Sequence, residues 1–250
     1  MGTITVITSG KGGVGKTTAT AGLGAALAAL GRRVALVDAD VGLRNLDAAL
    51  GLENRIVYDL VDVLQGACTL DKALIPHPQQ HRLDLLPAPQ GRQKASISAE
   101  KMLEVARELA KSHDEVLVDC AAGIGDTFAA TIAAAQKAIV VTVPEVSAVR
   151  DARQAVHILK ESKLPARLLI NRVRPHMVRK GEMMDVESVL ALLELELLGI
   201  VPEDEDVLRR NNQGYLVTDS RSQSAQAYGR MARRLVGEQV PIQDPCHRTG

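Results

Sequence analysis

Residues Gly10 to Thr17 read GKGGVGKT and fit the phosphate-binding pattern G-x-x-x-x-G-K-[ST]. Glycines let backbone N–H groups converge on phosphate oxygens, because no Cβ blocks the approach. Gly10, Gly12, Gly13, Val14 and Gly15 would form that cradle, with Thr18 just beyond it in the first helical turn. Lys16 would place a point charge between the outer phosphates, and the Thr17 hydroxyl would ligate Mg²⁺. Two further stretches end in acidic residues. RRVALVDAD closes on Asp38 and Asp40, and DEVLVDC closes on Asp119. Carboxylates beside a phosphate loop can hold Mg²⁺ through water or orient an attacking water; the bland alternative is capping of the next segment. The combined chemistry is hydrolysis of a nucleoside triphosphate with Mg²⁺.

These residues need a scaffold that presents all of them at one edge. The apolar run TITVITS leads into the glycine turn, and the Ala-rich run TTATAGLGAALAAL leads out of it, which predicts strand, loop and helix N-terminus. The helix adds unpaired N–H donors and the positive end of its dipole. RRVALVDAD, LDLLPA, DEVLVDC, KAIVVTVP and ARLLINRVRP read as further buried strands, and EVSAVRDARQAVHILKES as a helix between two of them. Pro76, Pro78 and HPQQHR mark a loop before LDLLPA, and QGRQKA marks another after it. Ser98 to Ser112 reads as an amphipathic surface helix. The last helix runs from about Ser222 to Val236, with Ala225, Tyr228, Met231, Ala232 and Leu235 as its core-facing stripe. The expected fold is α/β, a doubly wound, mostly parallel sheet of seven to eight strands. Residues 1–237 form one domain, and 238–250 a flexible tail.

Composition narrows the partners. Thirty Lys and Arg balance thirty Asp and Glu, and aromatic residues make up 2%, so neither a basic field nor stacking platforms for nucleic acid are present. Cys68, Cys120 and Cys246 are scattered without metal-ligand or disulfide spacing, which suits a reduced, cytoplasmic setting. Pro241 and Pro245 interrupt the tail, and only Val240 and Ile242 are bulky and apolar there. No membrane-targeting helix is expected in these residues, and direct membrane binding by them is not expected.

KGGVGKT resembles the deviant Walker A motif of the MinD/ParA family of P-loop ATPases. That resemblance implies that Lys11, otherwise readable as a solvated lysine, is shared across a nucleotide-sandwich homodimer in the ATP state. GLRNLD, VYDLVDVLQG, PEVSAVRDA and MDVESVLALLELELLGIVPEDEDVLRRNNQG resemble the MinD branch in particular, and the resemblance covers about residues 2 to 238. It implies a P-loop NTPase fold of the deviant Walker A type, catalytic roles for Lys11, Lys16 and Asp40, and a metal site of Thr17, Asp38, Asp40 and Asp119. It also implies that Asn171 and Arg172, with Pro202, Glu203 and Asp204 opposite, enclose adenine, and that Gly123 offers its N–H to the γ-phosphate. Asn45 and Arg44 stand where switch residues would, and Arg150 and Asp151 where a dimer or regulator surface would. The sequence departs from the family at CAAGIG, where Ser-Pro-Ala-Gly-Ile-Glu is usual; Cys120, Ala121 and Gly125 predict a looser second switch. The implied function is an ATPase switch governing septum placement, with regulators of the MinC and MinE kind. A flagellar-number regulator, a ParA-type partition ATPase and an ATP-binding adaptor with vestigial hydrolysis are the alternatives.

Overall fold

The computed structural model describes residues 1–40, 45–89, 98–219 and 221–246. Arg44 and the QGRQKA loop therefore lie outside the described residues. In chain order the elements are β1 (Thr3–Thr8), α1 (Lys16–Ala29), β2 (Val34–Asp38), α2 (Leu46–Ala49), α3 (Leu60–Gln65) and α4 (Leu70–Ala73). Next come β3 (Ile75–Pro76), β4 (Leu83–Leu86), α5 (Ala99–Ser112), β5 (Glu115–Asp119), α6 (Asp126–Ala134), β6 (Lys137–Thr142) and α7 (Val146–Glu161). The chain continues through β7 (Ala166–Val173), α8 (Pro175–Lys180), α9 (Val186–Leu193), β8 (Glu196–Pro202), α10 (Glu205–Asn212) and α11 (Gln223–Leu235).

Among the described residues, eight strands form one sheet in the order β3-β4-β2-β5-β1-β6-β7-β8. Every pairing is parallel except β3 with β4. β3 is the strand that sequence reading assigned to a loop. Pro76 has no N–H to give a ladder, so it is tolerated only because β3 lies at the sheet edge.

Alternation along the strands feeds two faces. Val34 and Leu36 of β2 enter one core layer with Leu117, Leu23 and Tyr228. Their neighbours Ala35 and Val37 enter the opposite layer with Val116, Val118, Met102 and Leu109. Helices α1 and α11 cover the first face; α5 and α6 cover part of the second, and α7 and α9 cover the rest, over Val6, Val140 and Ile170. α1 is buried on nearly all sides, between the sheet and α11. That position explains its small residues: a Cβ on Gly24 would lie 2.6 Å from Leu36 Cδ2.

The register aligns the chemistry. Asp38 on β2 pairs with Asp119 on β5, and Asp119 pairs with Ile7 on β1, one residue before that strand ends and leads into the glycine loop. Residues 238–246, expected as a flexible tail, contain no regular element and are tied to the end of the sheet. The Arg234 guanidinium donates to the carbonyls of Leu198 and Val240, each at 2.8 Å, and to that of Pro241. No helix among the described residues is long and apolar enough to cross a membrane.

Candidate functional site

The loop from Ser9 to Gly15 is held from three sides. Ser9 is buried, and its hydroxyl donates to the Lys11 carbonyl at 2.8 Å, fixing the turn. Gly10 presses on α7: a Cβ there would lie 2.0 Å from the Asp151 carbonyl carbon, so only glycine allows the loop to sit so close. Gly15, at φ +91°, adopts a left-handed conformation that L side chains rarely take, and it launches α1. Asn171 Nδ2 donates to the Val14 carbonyl at 2.9 Å and supports the loop from β7.

Lys16 is buried, and its ammonium lies beside Asp119. Burial pushes Asp119 up to about 6, against the opposing pull of Lys16 and the nearby hydroxyls of Thr17 and Thr20. Asp119 Oδ1 is buried and finds no hydrogen-bond partner among the described residues. An orphaned carboxylate oxygen next to a threonine hydroxyl and a phosphate loop is what an Mg²⁺ hydration shell would satisfy, so the donor set fits that ion. Among the described residues no three His, Cys, Asp or Glu side chains gather into a metal-holding group. The rest of such a shell would come from phosphate oxygens and water, as is usual for Mg²⁺.

Asp38 sits differently from its neighbour. It is buried and accepts from the N–H groups of Asp40 at 3.0 Å and Leu46 at 3.3 Å, so it ties the end of β2 to the start of α2. Burial first, and then the charge of Asp119, push its carboxyl up to about 8. Asp40 is half-buried, and its charge is close enough to help push Asp119 up. Of the four residues expected around a metal, Thr17, Asp38 and Asp40 all lie close enough to Asp119 to interact with it, and Asp38 already spends both oxygens on backbone N–H groups.

Gly123, at φ +91°, donates its N–H to the Ser9 carbonyl at 3.3 Å, and the neighbouring Ala122 reaches toward Gly12. The second switch thus rests against the glycine loop. Cys120 is fully buried beneath it, accepts from the Thr131 hydroxyl, and has its thiol pushed up to about 12 by burial; it is a core residue. Asn45 stands at the head of α2, with no side-chain cap bond. Lys11 is exposed, and its ammonium donates to Ser147 Oγ at 3.2 Å, at the start of α7. Val146, next to Ser147, is exposed and lines the same cavity as Lys11. Sequence reading missed Ser147, since nothing local in the chain links positions 136 residues apart.

Beside the loop lies a cleft of about 640 Å³, lined by Thr18, Asn171, Arg172, Val201 to Glu205, Val207 and Tyr228. Expected base-enclosing residues therefore meet here, although several also have structural duties. Asp204 accepts from the N–H groups of Asp206 and Ser224, heading α10 and α11. Glu203 forms a two-pronged ion pair with Arg174. Arg172 holds a left-handed φ of +53°, which turns the chain between Asn171 and the cleft wall.

The chain matches the model of the CobQ/CobB/MinD/ParA nucleotide-binding domain over residues 5–217. It is 46% identical to the septum site-determining protein MinD of Bacillus subtilis over 247 residues, covering 97% of this chain and 92% of that protein. Among solved structures it is similar to MinD in the MinC:MinD complex of Aquifex aeolicus, with 42% identity, a TM-score of 0.91, and coverage of 97% and 98%. MinD from Pyrococcus horikoshii complexed with Mg-ADP superposes with a TM-score of 0.86 at 31% identity, covering 95% of this chain and 97% of that one. With a family model over most of the chain and near full-length matches of this kind, the chain belongs to the MinD/ParA family of nucleotide-binding proteins, in its MinD branch.

Proposed function

We propose that this protein is an ATPase switch that dimerises with ATP and regulates where the division septum forms. The observation that carries the chemistry is the buried Lys16 beside Asp119, a carboxylate with one unpartnered oxygen and the Thr17 hydroxyl next to it. Gly10 to Thr17 bind the phosphates through backbone N–H groups, and Lys16 neutralises their outer charge. Thr17 and Asp119, with Asp40 nearby, would hold Mg²⁺, which when bound neutralises charge on the transferred phosphoryl group. Asp40 orients the water that attacks the terminal phosphorus; the bond to the ADP oxygen breaks, giving ADP and phosphate. Asn171, Arg172 and the Pro202–Asp204 wall receive the base.

Lys11 belongs to the switch rather than to its own site. It is exposed and touches only Ser147 through its ammonium among the described contacts, so a second copy is within its reach. The exposed Val146, beside Ser147, gives that contact an apolar border. The Aquifex relative was solved as a MinC:MinD complex, and a MinC-like regulator is accordingly part of this proposal; the exposed face of α7, with Arg150, would meet it. A cytoplasmic location belongs to the same proposal, supported by the need for ATP and compatible with the free thiols of Cys68, Cys120 and Cys246.

The test is Lys16→Ala, measured by calorimetric titration with ATP and Mg²⁺. One buried counter-charge is lost, so affinity should fall at least about a hundredfold. Binding within a few-fold of the parent would overturn the assignment of the loop.

A further inference from the structure

The sheet has two open sides, and the chain treats them differently. Among the described residues its edge strands are β3 and β8. β3 is two residues long and contains Pro76, so it offers another chain almost nothing to pair with. β8 is seven residues, ELLGIVP, with Leu198, Ile200 and Val201 all buried. A strand of that length and apolarity, left open, is a template for pairing with a second chain.

β8 also carries an irregularity. Leu168 and Leu169 of β7 stand opposite Leu197 and Gly199, so Leu198 is an extra residue, a bulge in the edge strand. Helix α11 sits directly on this point, since a Cβ on Gly199 would lie 2.5 Å from Met231 Cγ. Three residues further along α11, Arg234 donates to the Leu198 carbonyl and, from the same guanidinium, to the carbonyls of Val240 and Pro241. Burial first, and then the charges of Arg230 and Arg167, push the pKa of Arg234 down; against that push, its described bonds all go to carbonyl oxygens.

The far end of the same tail is anchored separately. Cys246 packs on the core layer under α7 and α9, opposite the layer that holds α11. Arg179 on α8 and Asp185 at the head of α9 are near enough to act on its thiol. Between Pro241 and Cys246 the chain therefore passes from one face of the sheet to the other, and the direct route rounds the open side of β8. Pro241 and Pro245 have no N–H to donate, so the segment that lies there is itself a poor partner for a further strand.

We propose that residues 238–246 are a strap that closes the β8 edge against strand pairing with a second copy of this chain, with Arg234 as its clasp. The proposal goes beyond the nucleotide reading and does not depend on it.

The test uses the full chain and two variants, one at each anchor. Arg234→Ala removes the clasp, and Cys246 reports the release. Burial, then Asp244, push that thiol from an ordinary 9.0 up to about 11. Release should therefore speed its alkylation at neutral pH by about ten- to hundredfold, up to one decade for each pKa unit regained. Peptide mapping separates Cys246 from Cys68, and the fully buried Cys120 should stay unlabelled as long as the fold is intact. In sedimentation velocity without nucleotide, Arg234→Ala should associate as concentration rises while the parent keeps a constant size, and the associated form should show the infrared signal of intermolecular β-sheet. Cys246→Asp places a charge in the far anchor, leaves α11 and β8 unaltered, and should associate in the same way. A tail serving only local stability would lower the melting temperature of both variants and leave them at the parental size. Faster alkylation without association overturns the edge role, and unchanged alkylation overturns the clasp. If Arg234→Ala also labels Cys120, and so has lost its fold, Cys246→Asp decides alone: parental size there refutes the proposal.

Discussion

Replacing Gly15 by alanine probes how the loop is held, because its expected cost divides into two parts. At φ +91° an alanine pays for a left-handed backbone, roughly 1–2 kcal/mol. The new Cβ would also lie 2.3 Å from Asn171 Nδ2, closer than any real contact allows. Asn171 is buried, so relieving the clash means breaking its bond to the Val14 carbonyl, at about 1–3 kcal/mol for a buried group left unpaired. Gly15→Ala should therefore destabilise the nucleotide-free protein by about 2–5 kcal/mol, the sum of the two. Asn171→Ala alone loses the bond but relieves nothing. In the double variant the clash has no target and only the backbone strain is added. Urea denaturation of the four proteins closes the cycle, and the double variant should be less damaged than the sum of the singles by about 1–3 kcal/mol. Additive effects would refute the picture of Asn171 as the strut beneath the loop.

Lys11→Ala should still bind ATP, since its ammonium touches Ser147 and not its own phosphate site. What it should lose is the ATP-dependent dimer, read by light scattering in an Asp40→Ala background that slows turnover; a normal dimer would return Lys11 to a solvated surface role. Asp40→Ala alone should bind ATP with near-parental affinity while single-turnover hydrolysis falls about a hundredfold or more; an unchanged rate would move the water-orienting role elsewhere. A pH prediction follows from Asp38, whose carboxyl rises from an ordinary 3.8 to about 8 when folded. A carboxyl with a raised folded pKa binds more protons in the native state, so its contribution is fully present below about pH 4 and is lost as pH rises toward 8. Metal- and nucleotide-free protein should lose thermal stability across that window, with Asp119 contributing up to about pH 6. Asp38→Asn should flatten the slope, and an equal slope in both proteins would refute the burial of that proton.

The chemistry was legible in the chain because it is written locally. Gly10 to Thr17 carry the phosphate loop, its flanking strand and its helix start within one continuous stretch, and Asp119 closes its own apolar run. The continuous apolar run of β2 and the apolar stripe of α11 likewise announced a buried strand and the helix that packs on the core. What the tertiary structure alone decided are contacts between residues far apart in sequence. Asn171 supports Val14 across 157 residues, and Lys11 meets Ser147 across 136. Asp38 and Asp40 both read as metal residues at a strand end, yet both oxygens of Asp38 accept backbone N–H groups, one of them from Leu46 eight residues on. Pro76 spoke for a loop, and only its place at the sheet edge admits it to a strand. Tyr228 reads as one more member of a helical stripe. Its ring is placed there by local periodicity, but the ring packs face to face with Gly22 because α11 crosses α1 at a glycine, and that crossing is set by how two helices share one face of the sheet.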